Sequence, residues 1–263
     1  MVTSQNSLTE KKDPKNNITA DSPKFILDKI AFFGRTLKEY EQMFNLDLSE
    51  WQGKSILDCP SGPASFIAEA TAQGLQAIGC DPLYGGKAEV LIEQGRKDIE
   101  QGRQRASQVN QLFDFSLWGG QDNFYAEKLT ALQRFATDYQ TGFTEKRYIT
   151  AALPHLPFPD QSFDLVLSAN LLFIYSDVTE GGMLPNSPLD YPFHCQAVLE
   201  LFRVCREEVR IYPVKTPNHT QPHHYLNLLL TDLNQMHIPA TLELVRYEDN
   251  AEANQMLKLR RST

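Results

Sequence analysis

Apolar and polar residues fall into blocks along this chain, and the blocks alternate between strand-like and helix-like patterns. From Phe25 onward, FILDKIAFFGRTLKEYEQMF places Ile26, Ile30, Phe33, Leu37, Tyr40 and Phe44 at steps of three and four. That spacing puts them on one helical face, interrupted near Gly34, and predicts a helix or helix pair within 23–50. KSILDC then reads as a buried strand, SFIAEATAQG as a helix with Gly74 at its C-terminal cap, and LQAIGCD as a second strand. Residues 84–148 break the alternation. They are rich in Gln, Arg, Glu and Ala around an aromatic middle, LFDFSLWGGQDNFY, and predict a helical insertion or lid. KRYITA, the continuous apolar run FDLVLSANLL, the helix FHCQAVLELFRVC, the strand EVRIYPV and the helix HHYLNLLLTDLNQM follow. TLELVRY and NQMLKLRR close the pattern as two short strands around the polar turn EDNAEA.

Strand, tight turn, helix, strand is a βαβ unit, and such units build parallel sheets. The whole pattern predicts an α/β protein. Residues 1–22 are polar and aperiodic, which predicts a disordered tail ahead of one domain over 23–263. A chain of 263 residues is long enough for that domain and a sizeable core. The formal net charge of −8 makes the surface a poor general attractor for phosphate backbones, so nucleic acid is not expected as a partner. No apolar run is long enough to cross a bilayer, and the polar N-terminus lacks a signal core. Cys59, Cys80, Cys195 and Cys205 form no C-x-x-C pair and no zinc pattern. Reduced thiols in a cytoplasmic protein are the expectation.

The candidate chemistry sits where the first predicted strand meets its helix, at SILDCPSGPASF (55–66). A turn of small residues there sets backbone N–H groups at the carboxyl end of the sheet, where open α/β sheets bind ligands. Asp81 ends the second strand, 23 residues after Asp58. An acid at that position and spacing suits the two hydroxyls of a ribose. A dinucleotide site is the competing reading, but its three glycines cradle a pyrophosphate, whereas PSGPAS offers one glycine and two prolines. Asp58 would also repel a pyrophosphate.

SILDCPSGPASF, AIGCDPLY, LPFPDQSFDLVLSANLL and LELFRVCREEVRIYPV, in that order, resemble the class I S-adenosylmethionine-dependent methyltransferases. The likeness runs from Ser55 to the C-terminus apart from the helical insertion, and it implies a doubly wound, Rossmann-like, mostly parallel seven-stranded sheet whose two terminal strands add an antiparallel hairpin. It departs in three places. Pro60 and Ala64 replace the first and last glycines of the family's glycine motif, leaving Gly62. Ala152 stands where the family often has an acid for the adenine amino group. The resemblance implies S-adenosyl-L-methionine as cofactor, held by Asp58, Pro60, Ser61, Gly62, Asp81, Pro82, Leu83, Ala152, Leu153, Ser168 and Asn170. Arg35 is a candidate for the methionine carboxylate, or else a solvated arginine.

Several residues carry two readings. Asp58 meets the methionine amino group, directly or through water, or caps the turn. Tyr84 packs on adenine or in the lid core. Trp118, Phe113, Phe115, Phe124 and Tyr125 are lid core or substrate contacts. Tyr175, Tyr191 and His194 follow the fourth strand, where substrates of this family sit; His194 accepts a proton or caps a helix, and Asn170 is a ligand or a structural asparagine. No catalytic residue is implied, because methyl transfer needs a base only when the nucleophile begins protonated. The N-P-P-Y sequence that would mark amino-group methylation of bases is missing, since Asn170 is followed by Leu-Leu-Phe. The resemblance implies a methyltransferase acting on a small molecule. A protein substrate and a non-catalytic scaffold of the same fold are the alternatives.

Overall fold

The computed structural model describes residues 23–219, 221–247 and 254–261. The tail expected over 1–22 and the polar turn at 248–253 lie outside the described residues. Seven strands form one sheet in the order β3-β2-β1-β4-β5-β7-β6. They are β1 (Ser55–Asp58), β2 (Gln76–Asp81), β3 (Tyr148–Thr150), β4 (Phe163–Ala169), β5 (Cys205–Tyr212), β6 (Ala240–Leu244) and β7 (Gln255–Arg260). β1 to β5 are mutually parallel, while β7 runs antiparallel to both β5 and β6. This is the predicted Rossmann-like sheet with its reversed C-terminal pair. The strand order reverses at β1, between β2 and β4, and that switch point sets the crevice at the carboxyl ends of the strands.

The helices are α1 (Leu37–Met43), α2 (Phe66–Ala72), α3 (Ala88–Gln108), α4 (Gln121–Thr144), α5 (Tyr191–Val204) and α6 (His224–Gln235). Residues of α1 to α4 pack with Ile56, Ala77, Leu165 and Leu167 on one face of the sheet. Residues of α5 and α6 pack with Leu57, Val166 and Val209 on the other. β4 is buried along nearly its whole length because helices cover both of its faces. Asp190 caps α5 by accepting from the Phe193 N–H at 2.9 Å, with a proline in the first turn.

The N-terminal helix is much shorter than its periodicity predicts. α1 begins only at Leu37, where Thr36 and Glu39 form a capping box. Residues 23–35 instead form an extended strap. Ile26 and Ile30, assigned to the inner face, are 37% and 48% exposed, whereas Phe25, Leu27 and Phe32 are buried. Tertiary partners decide this outcome. The strap's N–H groups donate outside the strap: Phe25 to Asn218 Oδ1 (2.7 Å), Leu27 to the Met183 carbonyl (2.8 Å) and Phe32 to Asp98 Oδ2 (2.8 Å). Gly34 lies flat on the Pro63 carbonyl, where no side chain fits.

The insertion is the crossover from β2 to β3. α3 and α4 form a hairpin joined through two 3-10 turns and the Gly119-Gly120 pair. The hairpin is fastened to the rest of the molecule. Lys128 of α4 is fully buried, pairs with Glu39 of α1, and lies 4.1 Å from the Phe124 ring centroid. Burial works to raise the Glu39 carboxyl, but Lys128 and Arg35 outweigh it and hold it below the ordinary range. Tyr247 donates its hydroxyl to the same Glu39 oxygen at 2.8 Å.

Candidate functional site

The turn after β1 is organised by the last residue of β2. Asp81 Oδ2 accepts from the Gly62 N–H at 3.1 Å, and Oδ1 accepts from the Leu83 N–H at 2.9 Å. The Tyr84 hydroxyl donates to the Gly62 carbonyl at 2.6 Å. Gly62 has φ +52°, which favours glycine. An added Cβ there would find only a Phe32 ring carbon at 4.0 Å, so the backbone faces open space. Ser61 fills the room left by Gly79, where a Cβ would lie 2.8 Å from Ser61 Oγ. The small residues of this turn therefore serve two neighbours. Pro63 and Ala64 seat the strap, and Gly62 faces a cavity.

That cavity measures about 430 Å³ and is mostly apolar, within the range of roughly 300–1,000 Å³ for small-molecule sites. Its floor is the carboxyl ends of the strands, its roof is the strap, and α3 forms a wall. The floor brings together Pro60, Ser61, Gly62, Asp81, Pro82 and Leu83. Ala152 and Leu153 line it after β3, Asn170 after β4, and Arg35 from the strap. Asp81 is 7% exposed; burial raises its carboxyl to about 6, against the two backbone N–H groups that lower it.

Two predicted residues stand apart from the lining. Ser168 is buried in β4, and its Oγ has no hydrogen-bond partner. Side chains alternate along a strand, so its neighbours Leu167 and Ala169 face the other way. Asp58 is also fully buried, behind Tyr40, whose hydroxyl donates to Asp58 Oδ2 at 2.8 Å. Burial is the main reason that the Asp58 carboxyl rises to about 7. Ser61 and Tyr40 oppose the rise, and nearby Asp81 adds to it. Ser61 Oγ lies beside this carboxylate without reaching hydrogen-bonding geometry, and Asp58 Oδ1 has no partner.

Tyr84 is core, stacked on Phe135 (6.0 Å, 20°) and edge-on to Tyr148. The insertion's aromatic cluster divides: Phe113, Phe124 and Tyr125 reach the cavity, while Phe115 and Trp118 pack behind them. His194 is fully buried outside the cavity. Its Nδ1 lies 2.7 Å from the Asp190 carbonyl and its Nε2 accepts from the Phe173 N–H, so it is a neutral imidazole fixed at both nitrogens. His223 is similar. Its Nδ1 accepts from the Tyr225 N–H, its Nε2 meets Ser176 Oγ at 2.7 Å, and burial lowers it to about 3.

The sequence also concealed lining residues. Tyr40 looked like an inward residue of an amphipathic helix. Asp98, one acid in a polar helix, is buried and receives Phe32 N–H, Gln94 and Lys29. Lys215 enters through a loop whose course the pattern did not fix, and Phe193 from the first turn of α5; Tyr175, expected near the substrate after the fourth strand, lines the cavity as well.

Among the described residues no helix is long and apolar enough to cross a membrane. No family model matches the sequence. A Methanocaldococcus jannaschii protein, itself uncharacterized, is 28% identical over 236 residues, covering 89% of this chain and 98% of that one. Similar solved structures include the magnesium protoporphyrin IX methyltransferase of Synechocystis with bound SAM. It is 13% identical, with a TM-score of 0.40, over 81% of this chain and 73% of that one. A SAM-dependent methyltransferase from Aquifex aeolicus is 10% identical, with a TM-score of 0.37, over 85% and 94%. These likenesses are distant, and the chain's own strand order and reversed β7 are what give it the Rossmann-like fold that the methyltransferase resemblance implies.

Proposed function

We propose that this chain is an S-adenosylmethionine-dependent methyltransferase acting on a small, mostly apolar molecule. The observation that carries the reading is Asp81. Its carboxylate organises the Gly62 turn, faces the cavity, and keeps lone pairs beyond the two N–H bonds it accepts. Those lone pairs suit a ribose diol. The open space over Gly62 allows close approach of a ligand to the backbone. Leu83 beside the diol, with Ala152 and Leu153 across from it, offers apolar surfaces and backbone groups to an adenine. When bound, S-adenosylmethionine would supply a methyl group on a positively charged sulfur, with the neutral thioether as leaving group.

This chain's contribution is alignment and exclusion of water. The strap covers the cavity, and Leu171, Ile174, Met183, Leu189 and Phe193 give its acceptor side an apolar lining. A covered cavity of this size suits a small acceptor better than a protein segment. Arg35 lines the same cavity from the strap and is suited to a carboxylate at the cofactor's amino-acid end. The four cysteines are free thiols, in keeping with a cytoplasmic enzyme. Mass spectrometry of small molecules released from the natively purified protein tests the reading. S-adenosylmethionine or S-adenosylhomocysteine should be released from the wild type and lost from Asp81→Ala. Release of a nicotinamide or flavin dinucleotide instead would overturn it.

A further inference from the structure

The charges that line the cavity do not follow the charge of the chain. Lys29, Arg35, Arg105 and Lys215 line it against Asp28, Asp81 and Asp98, four cations to three acids, whereas the whole chain carries a net charge of −8. The three acids serve the strap, α3 and the turn. Asp28 holds Arg105, Asp98 holds Lys29 and the Phe32 N–H, and Asp81 accepts from Gly62 and Leu83. Lys215 comes from another side, the segment that follows β5, and is only 5% exposed. That segment is pinned on both sides of the lysine. The Val214 carbonyl accepts the His223 N–H at 3.1 Å, and Thr216 Oγ1 donates to the Gly181 carbonyl at 3.0 Å. Asn218 grips the Phe25 N–H and carbonyl at 2.7 and 2.9 Å.

The strap sets the distance from this lysine to the glycine turn. Its Phe25 end is tied to Asn218, three residues from Lys215, and its Phe32 end lies over Gly62. Between them the Leu27 N–H donates to the Met183 carbonyl and the Ala31 N–H to the Tyr175 hydroxyl. Those bonds set the apolar acceptor side beneath the middle of the strap. The cavity therefore runs from the turn, past an apolar stretch, to a buried ammonium. On the cofactor reading above, which this inference rests on, S-adenosylmethionine brings a sulfonium and an ammonium against one carboxylate. The filled site then holds a larger positive excess, and excess charge of one sign is costly to bury unless an opposite charge meets it. We infer that the methyl acceptor is a small apolar acid whose carboxylate is held by Lys215. An ammonium carries three donors, so it holds a ligand oxygen alongside a partner in the protein. The carboxylate is the recognised group and not the methylated one, because Lys215 and Gly62 lie under opposite ends of the strap. No covalent bond changes at Lys215, which acts as a specificity-determining residue.

Calorimetric titration of the full chain, saturated with S-adenosylhomocysteine, tests this with three probes that share one apolar body: octanoate, octan-1-ol and octylamine. The wild type should bind octanoate about tenfold more tightly than octan-1-ol, the scale of a hydrogen bond to a charged group, and octylamine most weakly. Lys215→Met keeps the side chain's length and removes its charge. It should bind octanoate and octan-1-ol equally and keep the wild-type affinity for S-adenosylhomocysteine, which also shows that it is folded. Lys215→Arg should keep the preference for octanoate, and with the wild-type ratio it decides the matter should Lys215→Met not fold. Equal binding of octanoate and octan-1-ol by the wild type overturns the inference. So does a preference that survives in Lys215→Met, tighter binding of octylamine, or no binding of any probe. A wild type that fails to bind S-adenosylhomocysteine overturns the cofactor reading itself, and the acceptor role of the acid with it.

Discussion

The floor and the roof of the cavity treat their polar groups in opposite ways. On the floor, Asp58 Oδ1 and Ser61 Oγ are buried and unsatisfied, and two raised carboxyls lie close together. In the roof and the hairpin behind it, buried charges are matched. Asp98 receives a backbone N–H, an amide and Lys29, and Lys128 meets Glu39. At the exposed edge of the strap, Arg105 holds Asp28 through both terminal guanidinium nitrogens at 3.1 and 2.7 Å. A buried group that stays unpaired costs stability, and a protein keeps that cost where a ligand relieves it. The matched charges hold the roof in shape, and under the proposed function the unmatched groups of the floor lie beside the ligand.

Breaking the roof should have the largest effect on folding. Lys128→Ala removes the buried cation that pairs with Glu39, and breaking a buried ion pair typically costs about 3–5 kcal/mol. Urea unfolding should show a loss of that size. A loss below about 1 kcal/mol, the scale of an exposed pair, would mean that the pair does not hold the hairpin.

The floor should respond in the opposite sense. The Asp58 and Asp81 carboxyls are raised from 3.8 to about 7 and about 6. A raised carboxyl contributes stability that is fully present below its ordinary range and lost as pH climbs through the folded value. The ligand-free protein should therefore lose stability between about pH 4 and 7 at these two sites. Asp58→Asn removes one of the two ionisations and keeps an acceptor for Tyr40. It should raise the thermal midpoint at pH 8 relative to the wild type and do much less at pH 5. The rise to about 7 sets an upper bound on the order of 4 kcal/mol. An equal change at both pH values would contradict an unsatisfied, ionised floor.

Gly62→Val sharpens the comparison at one backbone position. A branched residue at φ +52° is strained by about 1–2 kcal/mol, and its side chain points into the open space over the turn. The variant should stay folded, with a modestly lowered midpoint, and lose S-adenosylhomocysteine binding by calorimetry. Normal binding would reduce Gly62 to a turn residue.

The smallest effect separates strap from hairpin. Strap amides such as Ala31, bonded to the Tyr175 hydroxyl at 3.1 Å, depend on side-chain acceptors, whereas α4 is a continuous helix with a buried ion pair. In exchange mass spectrometry, S-adenosylhomocysteine should slow residues 25–35 more than 121–144. Protection concentrated in the hairpin would make the insertion the moving lid.

The sheet was legible because β1, β2 and β4 are mostly apolar runs bounded by turn residues, and because Asp58 and Asp81 mark two adjacent strand ends. The strap was not. Ile26 and Ile30 keep helical spacing, yet Asn218, Met183 and Asp98 capture the backbone donors that a helix would use. Those partners are distant in sequence, so local periodicity misses them. Within the site, Asp81 and Gly62 were readable from motif and spacing. Tyr40 was not, because an inward aromatic on a short helix looks the same whether it fills core or covers an acid. His194 was ambiguous for a similar reason, and only the partners of its two nitrogens make it structural.

The central claim is that the cavity binds S-adenosylmethionine through Asp81. Calorimetric titration of S-adenosylhomocysteine into the wild type and into Asp81→Ala tests it most directly. The account predicts one-to-one binding by the wild type and a loss on the order of 1.5–3 kcal/mol in a folded variant. A folded Asp81→Ala that binds as tightly as the wild type would contradict it.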